Sequence, residues 1–506
     1  MDVQPQHKSP ALAFFAQPLT LGLIGSVVLT IASYGGGATR NRGGLLELLN
    51  MSFLSYGHGR NVMLLLFWVG MFLLVAAWIR AGFLQCVLKQ ELNWQKILLA
   101  WLAPLVFAGP LASRDVYSYL MQGAMVRDGF DPYSEGAAAN PGPYLLEVSH
   151  DWRNTTTPYG PLHLWMGEGV TTAVGNHVAM GVLVYKLLSL LGFVAIAWAV
   201  PKLARKLGGD PQLALWLSVA NPVLILHLVG GMHNESIMVG LVSIGLVGIL
   251  QRNVGTVIGG LALIGAAVAL KATAFIAVPF AVWLMMHHLA PSASSTLAKK
   301  IGAFLLSGFI AVSVNVAVVA GITWLSGSSW GWISEISGNS KVINPLAIPT
   351  LITDTVVPVV KIFAPDFSYN ATLEFLRGIF AVFMLVGLVA AWWLYRHNPR
   401  RNIAGTALAY QVAFLFNSVT LPWYYASVLT LVGVFQPSDL VKRLATGGTV
   451  FLALAFSGDG NHQLYASWWV IATIALGWWA AEKIFPSRGQ ALDRVQSKTP
   501  SPVRAE

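Results

Sequence analysis

Residues 61–82 read NVMLLLFWVGMFLLVAAWIRAG, a stretch in which Arg80 is the single charged side chain. An α-helix needs about 20 predominantly apolar residues to cross the hydrocarbon core of a bilayer. Within lipid, a helix also satisfies its own backbone hydrogen bonds, which an irregular segment cannot do. The stretch therefore predicts a transmembrane helix.

Similar apolar runs recur along the whole chain. Of its 506 residues, 56% are hydrophobic and 10% are charged, whereas soluble domains carry about 25% charged residues. We therefore predict an all-α, polytopic helical membrane protein with about 13–15 transmembrane helices. The predicted spans cover residues 15–34, 61–82, 96–112, 178–200, 212–230, 235–250, 254–270, 272–288, 299–325, 373–395, 402–419, 423–437, 444–457 and 466–484.

The positions of the basic residues predict the topology. The formal net charge is +10, but the basic residues do not form the clustered face that nucleic-acid binding requires, so no nucleic-acid partner is expected. They fall in short segments between apolar runs, which is typical of the cytoplasmic side of a membrane protein. The main groups are Lys202, Arg205 and Lys206; Lys299 and Lys300; Arg396, Arg400 and Arg401; and Lys442 and Arg443.

This topology predicts a multi-pass protein of the plasma membrane with both ends of the chain in the cytoplasm. Residues 1–14 and 486–506 are the expected tails, the second one disordered, and residues 15–485 form the membrane domain. The long loops 113–177 and 326–372 lie outside, and their Trp, Tyr and Pro content favours ordered, functional loops. A lone cysteine, Cys86, excludes an intrachain disulfide.

The segment SRDVYSYLMQGAMVRDGFDPY opens the first of these loops with a sudden group of polar residues. Helical spacing places Asp115, Tyr119 and Gln122 on one face, and Gly129 is the expected end of the helix. Two interpretations are open. Asp115 either caps a helix at the membrane interface, or it acts as a general base beside the cation of Arg114.

Three further motifs carry polar residues at predicted outer turns. In TTTPYGPL, prolines hold Tyr159 in a rigid turn, either as an interfacial anchor or as a site residue. In GGMHNESIM, His233, Asn234 and Glu235 either cap a helical hairpin or bind a polar ligand. In ALKATAF, Lys271 is either a snorkelling lysine or the partner of a phosphate, because a charge at such depth is costly.

The motif VTLPWYYASV adds Trp423, Tyr424 and Tyr425 at the outer side. These rings either belong to the interfacial aromatic belt or form a platform for a sugar or a prenyl chain. Most of the chemically interesting residues thus fall on the side of the membrane where nucleotide sugars are absent. An enzyme that works there would need a sugar donor carried by a lipid, whose phosphate would account for the outer cations.

Four motifs in combination resemble a known family. YGPL, GGMHNE, LKATAF and LPWYY, together with the acid of RDVY, are similar to those of the actinobacterial polyprenol-phosphomannose-dependent α-1,6-mannosyltransferases. The resemblance covers about residues 15–485. It implies a GT-C membrane fold with outer catalytic loops, a polyprenyl phosphomannose donor and a lipid-anchored acceptor, the mannan core of lipomannan and lipoarabinomannan. It also implies that Asp115 matches the general-base position.

The expected reaction is an inverting transfer, which needs one in-line displacement and one base. We assign the base to Asp115, and Asp128 and Asp131 stay open as alternatives, because related enzymes often carry paired acids where this chain has one. Arg114 and Lys271 would hold the phosphate of the donor.

The remaining site residues would orient or stack on the sugars: Tyr119, Asp131, Tyr133, Tyr159, His233, Asn234, Glu235, Trp423, Tyr424 and Tyr425. Neither a cofactor nor a metal is expected, since a monophosphate needs less neutralisation than a diphosphate. Membrane lipids complete the expected partners. A transporter or flippase and a GT-C enzyme for another sugar are the rival interpretations. Clustering of Asp115, His233 and Lys271 at one cavity would favour the transferase.

Overall fold

The computed structural model describes residues 17–40, 43–291, 295–338 and 342–487. Within these ranges the regular structure is helical, apart from an isolated β-bridge between Phe456 and His462. The predicted all-α class of membrane protein is confirmed. Both predicted tails fall mostly outside the described residues, and the three-region division of the chain stays a prediction.

The described ranges contain twenty α-helices, joined by turns, loops and short 3₁₀ or π segments. In the amino-terminal half they are α1 (Pro18–Ser33), α2 (Leu45–Leu48), α3 (Gly57–Gly82), α4 (Trp94–Val106), α5 (Asp115–Arg127), α6 (Pro143–Glu147), α7 (Pro161–Val174), α8 (Val178–Lys206), α9 (Pro211–Ala214) and α10 (Glu235–Ile249). The carboxyl-terminal half contains α11 (Val254–Leu270), α12 (Val278–Leu289), α13 (Leu297–Leu325), α14 (Trp332–Gly338), α15 (Ile348–Lys361), α16 (Tyr369–Leu394), α17 (Pro399–Phe416), α18 (Ala426–Val432), α19 (Asp439–Ala453) and α20 (Ser467–Ile484).

Five helices in the described ranges are long and apolar enough to cross a membrane. They are Gly57–Val87, Val178–Lys206, Ala272–Leu289, Leu297–Leu325 and Tyr369–Leu394. A sixth crossing arises if the segments Pro211–Val219 and Leu224–Gly230, which meet at a bend of 59°, act as one span. Several other predicted spans are present as shorter apolar helices, among them α1, α4, α10 and α11. The total of about 13–15 crossings stays a prediction.

The buried core is dense and aromatic. Trp78 of α3 stacks on Trp216 with ring centroids 4.8 Å apart, and each indole N–H donates to the other residue's carbonyl oxygen at 2.9 Å. This reciprocal pair joins α3 to the bent segment and leaves neither indole N–H unpaired. At the surface of the helix bundle, by contrast, α16 exposes large apolar side chains such as Phe375 and Leu385. Apolar surfaces of this kind suit contact with lipid.

Segments that the topology assigns to one side of the membrane contact each other. On the predicted outer side, Arg60 pairs with Asp459 at 2.7 Å, and the Thr156 hydroxyl donates to Glu335. The second contact joins the two long loops. On the predicted cytoplasmic side, Arg400 donates to the carbonyl oxygen of Leu207 at 2.9 Å. The contacts agree with two separate polar faces.

Close backbone contacts pack the first outer loop on itself and against α11. Where α5 crosses α7, a Cβ atom on Gly123 would lie 2.1 Å from the backbone of Gly167, so only glycine permits this approach. A Cβ on Gly160 would likewise lie 2.2 Å from the carbonyl oxygen of Ala269. The Gly160 N–H donates to Leu270 at 3.1 Å. These contacts bring the YGPL turn against the end of α11.

Candidate active site

A polar cavity of about 720 Å³ lies where the outer loops meet the membrane helices. The loop around residues 37–40, the start of α5, the YGPL turn, the segment 419–424 and the loop around Asp459 all contribute to its wall. Asp115, Tyr119 and Gln122 line it together, so the face predicted for the helix is confirmed. Gly129, with φ of +89°, follows the end of that helix as predicted.

Asp115 is the first residue of α5, and its side chain is 19% exposed. Its Oδ2 atom lies 3.3 Å from Nδ1 of the fully buried His233 and 3.5 Å from the Tyr119 hydroxyl. Burial by itself would raise the pKa of Asp115. The contact with His233, together with Ser113 and the positive charge of Lys271, outweighs burial and lowers the pKa below its usual value. The carboxylate is therefore ionised at neutral pH.

His233 is held in place from several sides. Its ring stacks on the indole of Trp423, with centroids 3.8 Å apart and planes inclined by 17°. The residue before it, Met232, has φ of 57°, a left-handed conformation that non-glycine residues seldom adopt. Ala112, three residues before Asp115, has φ of 59°. The two chain segments that carry Asp115 and His233 thus each contain a residue with a strained backbone, which is typical of functional sites.

Lys271 has a protein carboxylate as its counter-charge. Its amino group pairs with Glu235 at the start of α10, and both side chains are buried. The same amino group lies 4.3 Å from the ring centroid of Tyr424 and 5.4 Å from that of Tyr159. The charge that the sequence left without a partner is thus neutralised inside the protein, behind two rings that line the cavity.

A histidine that sequence reasoning missed joins two of the motifs. His163 Nε2 lies 2.9 Å from Gln122 Oε1, and His163 Nδ1 lies 3.4 Å from Asn234 Nδ2. Burial lowers the pKa of His163 to about 3, so the imidazole is neutral. Asn234 thus bonds to His163 rather than capping its helix with its side chain. A single histidine in an apolar helix gave no signal of this link.

Arg114 lines the cavity, but most of its donors are engaged. Its Nε and Nη2 atoms donate to the carbonyl oxygen of Glu147 at 3.0 and 2.8 Å, and Nη1 donates to Thr39 at 2.7 Å. Arg40 and Arg60, which sequence reasoning did not single out, also line the cavity. Arg40 Nε forms no hydrogen bond with the described residues, but it lies 3.9 Å from Glu147 Oε1, and the other oxygen of this carboxylate lies 3.2 Å from Arg114 Nη2.

Several predicted site residues lie outside the cavity wall, namely Asp131, Tyr133, His233, Asn234, Glu235, Lys271 and Tyr425. Asp131 accepts a hydrogen bond from the Tyr133 N–H at 3.0 Å and stabilises the turn after α5. The Tyr133 ring packs against Gly331, and Tyr425 is buried against Phe414. Of the predicted aromatic residues, Tyr119, Tyr159, Trp423 and Tyr424 do line the cavity.

The two alternative bases, Asp128 and Asp131, form their hydrogen bonds outside the cavity. Asp128 pairs with Arg127 at 2.8 and 2.9 Å and accepts from Asn140 at 2.9 Å. Asp131 holds its turn. Of the three aspartates, Asp115 is the one that borders the cavity. In the described ranges no group of three His, Cys, Asp or Glu side chains is placed to hold a metal ion.

A second, mainly apolar groove of about 580 Å³ leads away from the polar cavity. Its wall includes Tyr34, Leu45, Phe107, Val182 and Leu183. Thr39, Arg40 and Ser55 line both the groove and the cavity, so the two spaces meet at these residues. The arrangement offers an apolar channel, a cation at its mouth and an ionised carboxylate beyond it.

Comparisons with known proteins agree with this chemistry. Residues 19–287 match the family model described as "Alpha-(1->6)-mannopyranosyltransferase, N-terminal domain". Residues 349–484 match the model described as "MptB C-terminal domain". Together the two matches cover most of the described structure, including every residue of the cavity that α5, the YGPL turn and the segment 419–424 provide.

Full-length relatives give the same result. Alpha-(1->6)-mannopyranosyltransferase A of Corynebacterium glutamicum is 51% identical over 94% of this chain and 100% of its own length. The protein of the same name from Mycobacterium tuberculosis is 35% identical over 99% of this chain and 96% of its own length. Alpha-(1->6)-mannopyranosyltransferase B of C. glutamicum is 29% identical over 66% of this chain and 59% of its own length. The chain therefore belongs to the alpha-(1->6)-mannopyranosyltransferase family, and it is a mannosyltransferase.

Proposed function

We propose that this mannosyltransferase takes mannose from a polyprenyl phosphomannose and transfers it to a 6-hydroxyl of a lipid-anchored mannan. The reaction would take place at the outer face of the plasma membrane. The observation that supports a lipid-borne donor is the apolar groove that opens into the polar cavity at Thr39, Arg40 and Ser55. A prenyl chain would lie in the groove, and its phosphate would lie at the junction.

Asp115 would act as the general base. Its carboxylate takes the proton of the acceptor 6-hydroxyl, and the acceptor oxygen attacks C1 of the mannosyl group. The bond between C1 and the phosphate oxygen breaks, and prenyl phosphate leaves with the electron pair. A single in-line displacement of this kind inverts the anomeric carbon. His233, 3.3 Å from Asp115, would orient the carboxylate.

Cations would hold the leaving phosphate. Arg40 and Arg114 line the cavity near the mouth of the groove, and charge-assisted hydrogen bonds to phosphate are about twice as strong as neutral ones. Lys271, already paired with Glu235, contributes positive charge from behind Tyr159 and Tyr424. Those two rings and Tyr119 would contact the sugars at the cavity wall.

The donor is tested with purified enzyme and a synthetic α-1,6-linked dimannoside. Labelled polyprenyl phosphomannose should yield a trimannoside with a new α-1,6 linkage, whereas a nucleotide-diphosphate mannose should yield none. Transfer from the nucleotide sugar in the absence of prenyl phosphate would refute the proposed donor.

The groove has its own test in a matched pair of variants on α8. Val182→Trp fills the groove, while Val194→Trp adds the same ring at a surface position that is 60% exposed. Val182→Trp should raise the KM for a long-chain donor at least about tenfold, because chain burial supplies the affinity, and should affect a short-chain donor little. Equal effects of the two variants, or of the two donors, would remove the groove from the proposal.

The outer location is tested by thiol labelling in intact cells. In a Cys86→Ser background, Asp366→Cys places a thiol in the second long loop and Arg401→Cys places one at the opposite polar face, both exposed. A membrane-impermeant maleimide should label the first variant and spare the second until the cells are opened. The reverse pattern would put the cavity in the cytoplasm.

A transporter or flippase is the rival interpretation of the sequence, because it too would bind a lipid phosphate. Of Asp115, His233 and Lys271, Asp115 alone lines the cavity, while His233 contacts Asp115 and Lys271 contacts the cavity residue Tyr424. This proximity supports the transferase. Movement of labelled prenyl phosphomannose across vesicles, without any dependence on Asp115, would favour the transporter instead.

A further inference from the structure

Lys186 lies in the middle of the predicted span α8, and its side chain is only 1% exposed. No carboxylate in the described ranges lies within ion-pair distance of it. Ionisable side chains inside membrane helices are rare and are usually retained for function. The roles assigned so far to the cavity and the groove leave this buried amino group without one.

The Lys186 amino group contacts the end of the bent segment Leu224–Gly230. Its Nζ atom donates to the carbonyl oxygen of Val229 at 2.8 Å and lies 3.5 Å from that of Gly230. One helical turn further along α8, the Ser189 hydroxyl donates to Leu228. The last carbonyls of a helical segment carry partial negative charge, which an amino group at this point stabilises.

The Gly230 carbonyl oxygen has a second donor, the Leu111 N–H at 3.1 Å. This hydrogen bond joins the two chain segments that carry the catalytic pair. Asp115 lies four residues after Leu111, and His233 lies three residues after Gly230. Ala112 lies between Leu111 and Asp115, and Met232 lies between Gly230 and His233. Both have a strained backbone conformation, so neither short segment has much conformational freedom.

We infer that Lys186 is a positioning residue for mannosyl transfer, because its amino group binds the Val229 carbonyl beside that of Gly230 and thereby sets the spacing between His233 and Asp115. The inference rests on the proposed role of Asp115 as the base. Lys186 does not touch the base, and its effect passes through the backbone from Gly230 to His233.

Lys186 also lines the apolar groove, which offers a competing role. An amino group in that wall could bind the donor phosphate directly. Phosphate binding and positioning predict different kinetics. Loss of a contact with the sugar donor raises the KM for that donor, whereas displacement of the proposed base lowers kcat.

The test compares two variants of Lys186. Lys186→Met removes the hydrogen-bond donor of the side chain, whereas Lys186→Gln keeps an N–H on a shorter side chain. Lys202→Met, on the same helix but beside the ring of Trp198, is the matched control. Lys186→Met should lower kcat roughly 10- to 100-fold, as expected for a small misplacement of a catalytic group. Its donor KM should stay within about twofold of the wild-type value. Lys186→Gln should recover part of the lost rate, and Lys202→Met should match wild type.

The pH profile separates positioning from general destabilisation. The titratable groups that face Asp115 are Tyr119, Tyr159, His163, His233, Lys271 and Tyr424. Of these, His233 follows directly on the Gly230 segment. If it moves away, the pKa of Asp115 rises, so the acid limb of the kcat profile should move to higher pH in Lys186→Met. If the acid limb of the kcat profile of Lys186→Met is unchanged and only the amount of folded enzyme falls, the inference is overturned.

A double-mutant cycle completes the test. In a His233→Ala background, Lys186→Met should have little further effect on kcat, because the group that it positions is gone. Additive losses, or a raised KM at unchanged kcat, would overturn the inference and support the phosphate role. Wild-type enzyme that fails to use polyprenyl phosphomannose would instead refute the proposed function.

Discussion

His233 lies flat on Trp423, with ring centroids 3.8 Å apart and planes inclined by 17°. The tryptophan of the LPWYY motif thus lines the cavity and also packs on the imidazole that contacts Asp115, the proposed base. His227 lies 5.5 Å from the same indole, so three rings pack together under the cavity. The residue that the sequence assigned to substrate stacking also has a clear structural role.

Trp423→Leu should therefore impair the base as well as the substrate site. We expect kcat to fall about 10- to 100-fold, since the imidazole loses the ring that orients it. Steady-state kinetics on folded, detergent-purified enzyme check this. Tyr425→Leu, which changes a neighbouring buried ring outside the cavity wall, is the control. A Trp423→Leu variant with altered KM alone would restrict this residue to sugar binding.

Asp115→Asn should abolish transfer while the protein stays inserted and folded. A general base contributes about 10²- to 10⁴-fold, and asparagine keeps the shape of the side chain without its basicity. Asp128→Asn is the matched control, because that carboxylate pairs with Arg127 and not with the cavity. Near-normal turnover of Asp115→Asn would exclude this residue as the base.

The acid side of the pH profile should report on Asp115. The pKa of this carboxyl group is lowered from 3.8, and the base works only when ionised. The rate should therefore stay level as the pH falls from neutrality and should drop only below the ordinary aspartate range. His163, with a pKa of about 3, is neutral throughout and adds no transition near neutrality. Single-turnover rates measured against pH check this, and the profile of His163→Gln should be equally level near neutrality.

Breaking the Lys271–Glu235 pair should destabilise the protein whichever partner is removed. Leaving one buried charge unpaired costs about 3–5 kcal/mol, so Lys271→Met and Glu235→Gln should each lower the free energy of unfolding by that amount. The double variant should recover most of the loss. Thermal unfolding in detergent measures the stability, and the donor KM measures the predicted phosphate role. A stable Lys271→Met variant with a normal donor KM would leave the residue with neither role.

Local features of the site followed from the sequence where they depend on helical periodicity. The face formed by Asp115, Tyr119 and Gln122, and the glycine that ends α5, come from a spacing of 3.6 residues and the freedom of Gly129. The membrane class follows from apolar runs such as residues 61–82. None of these inferences depends on which helices pack against each other.

Other features had no local signal. His163 gave no motif, yet it bridges Gln122 and Asn234 from a separate helix. Arg40 belongs to none of the motifs, and its importance follows from its position between the groove and the cavity. Tyr133 and Asp131 looked suitable by residue type, but the turn after α5 directs them away from the cavity.

The sequence by itself determined a helical membrane protein with chemically distinct polar loops, because composition and periodicity act over one or two helical turns. Tertiary structure alone decided the pairings that make the site. Asp115 meets His233, and Lys271 meets Glu235, across segments far apart in the chain. Those contacts depend on how the helices pack and on the close glycine crossings that allow it, so the partner of each charge is a property of the assembled fold.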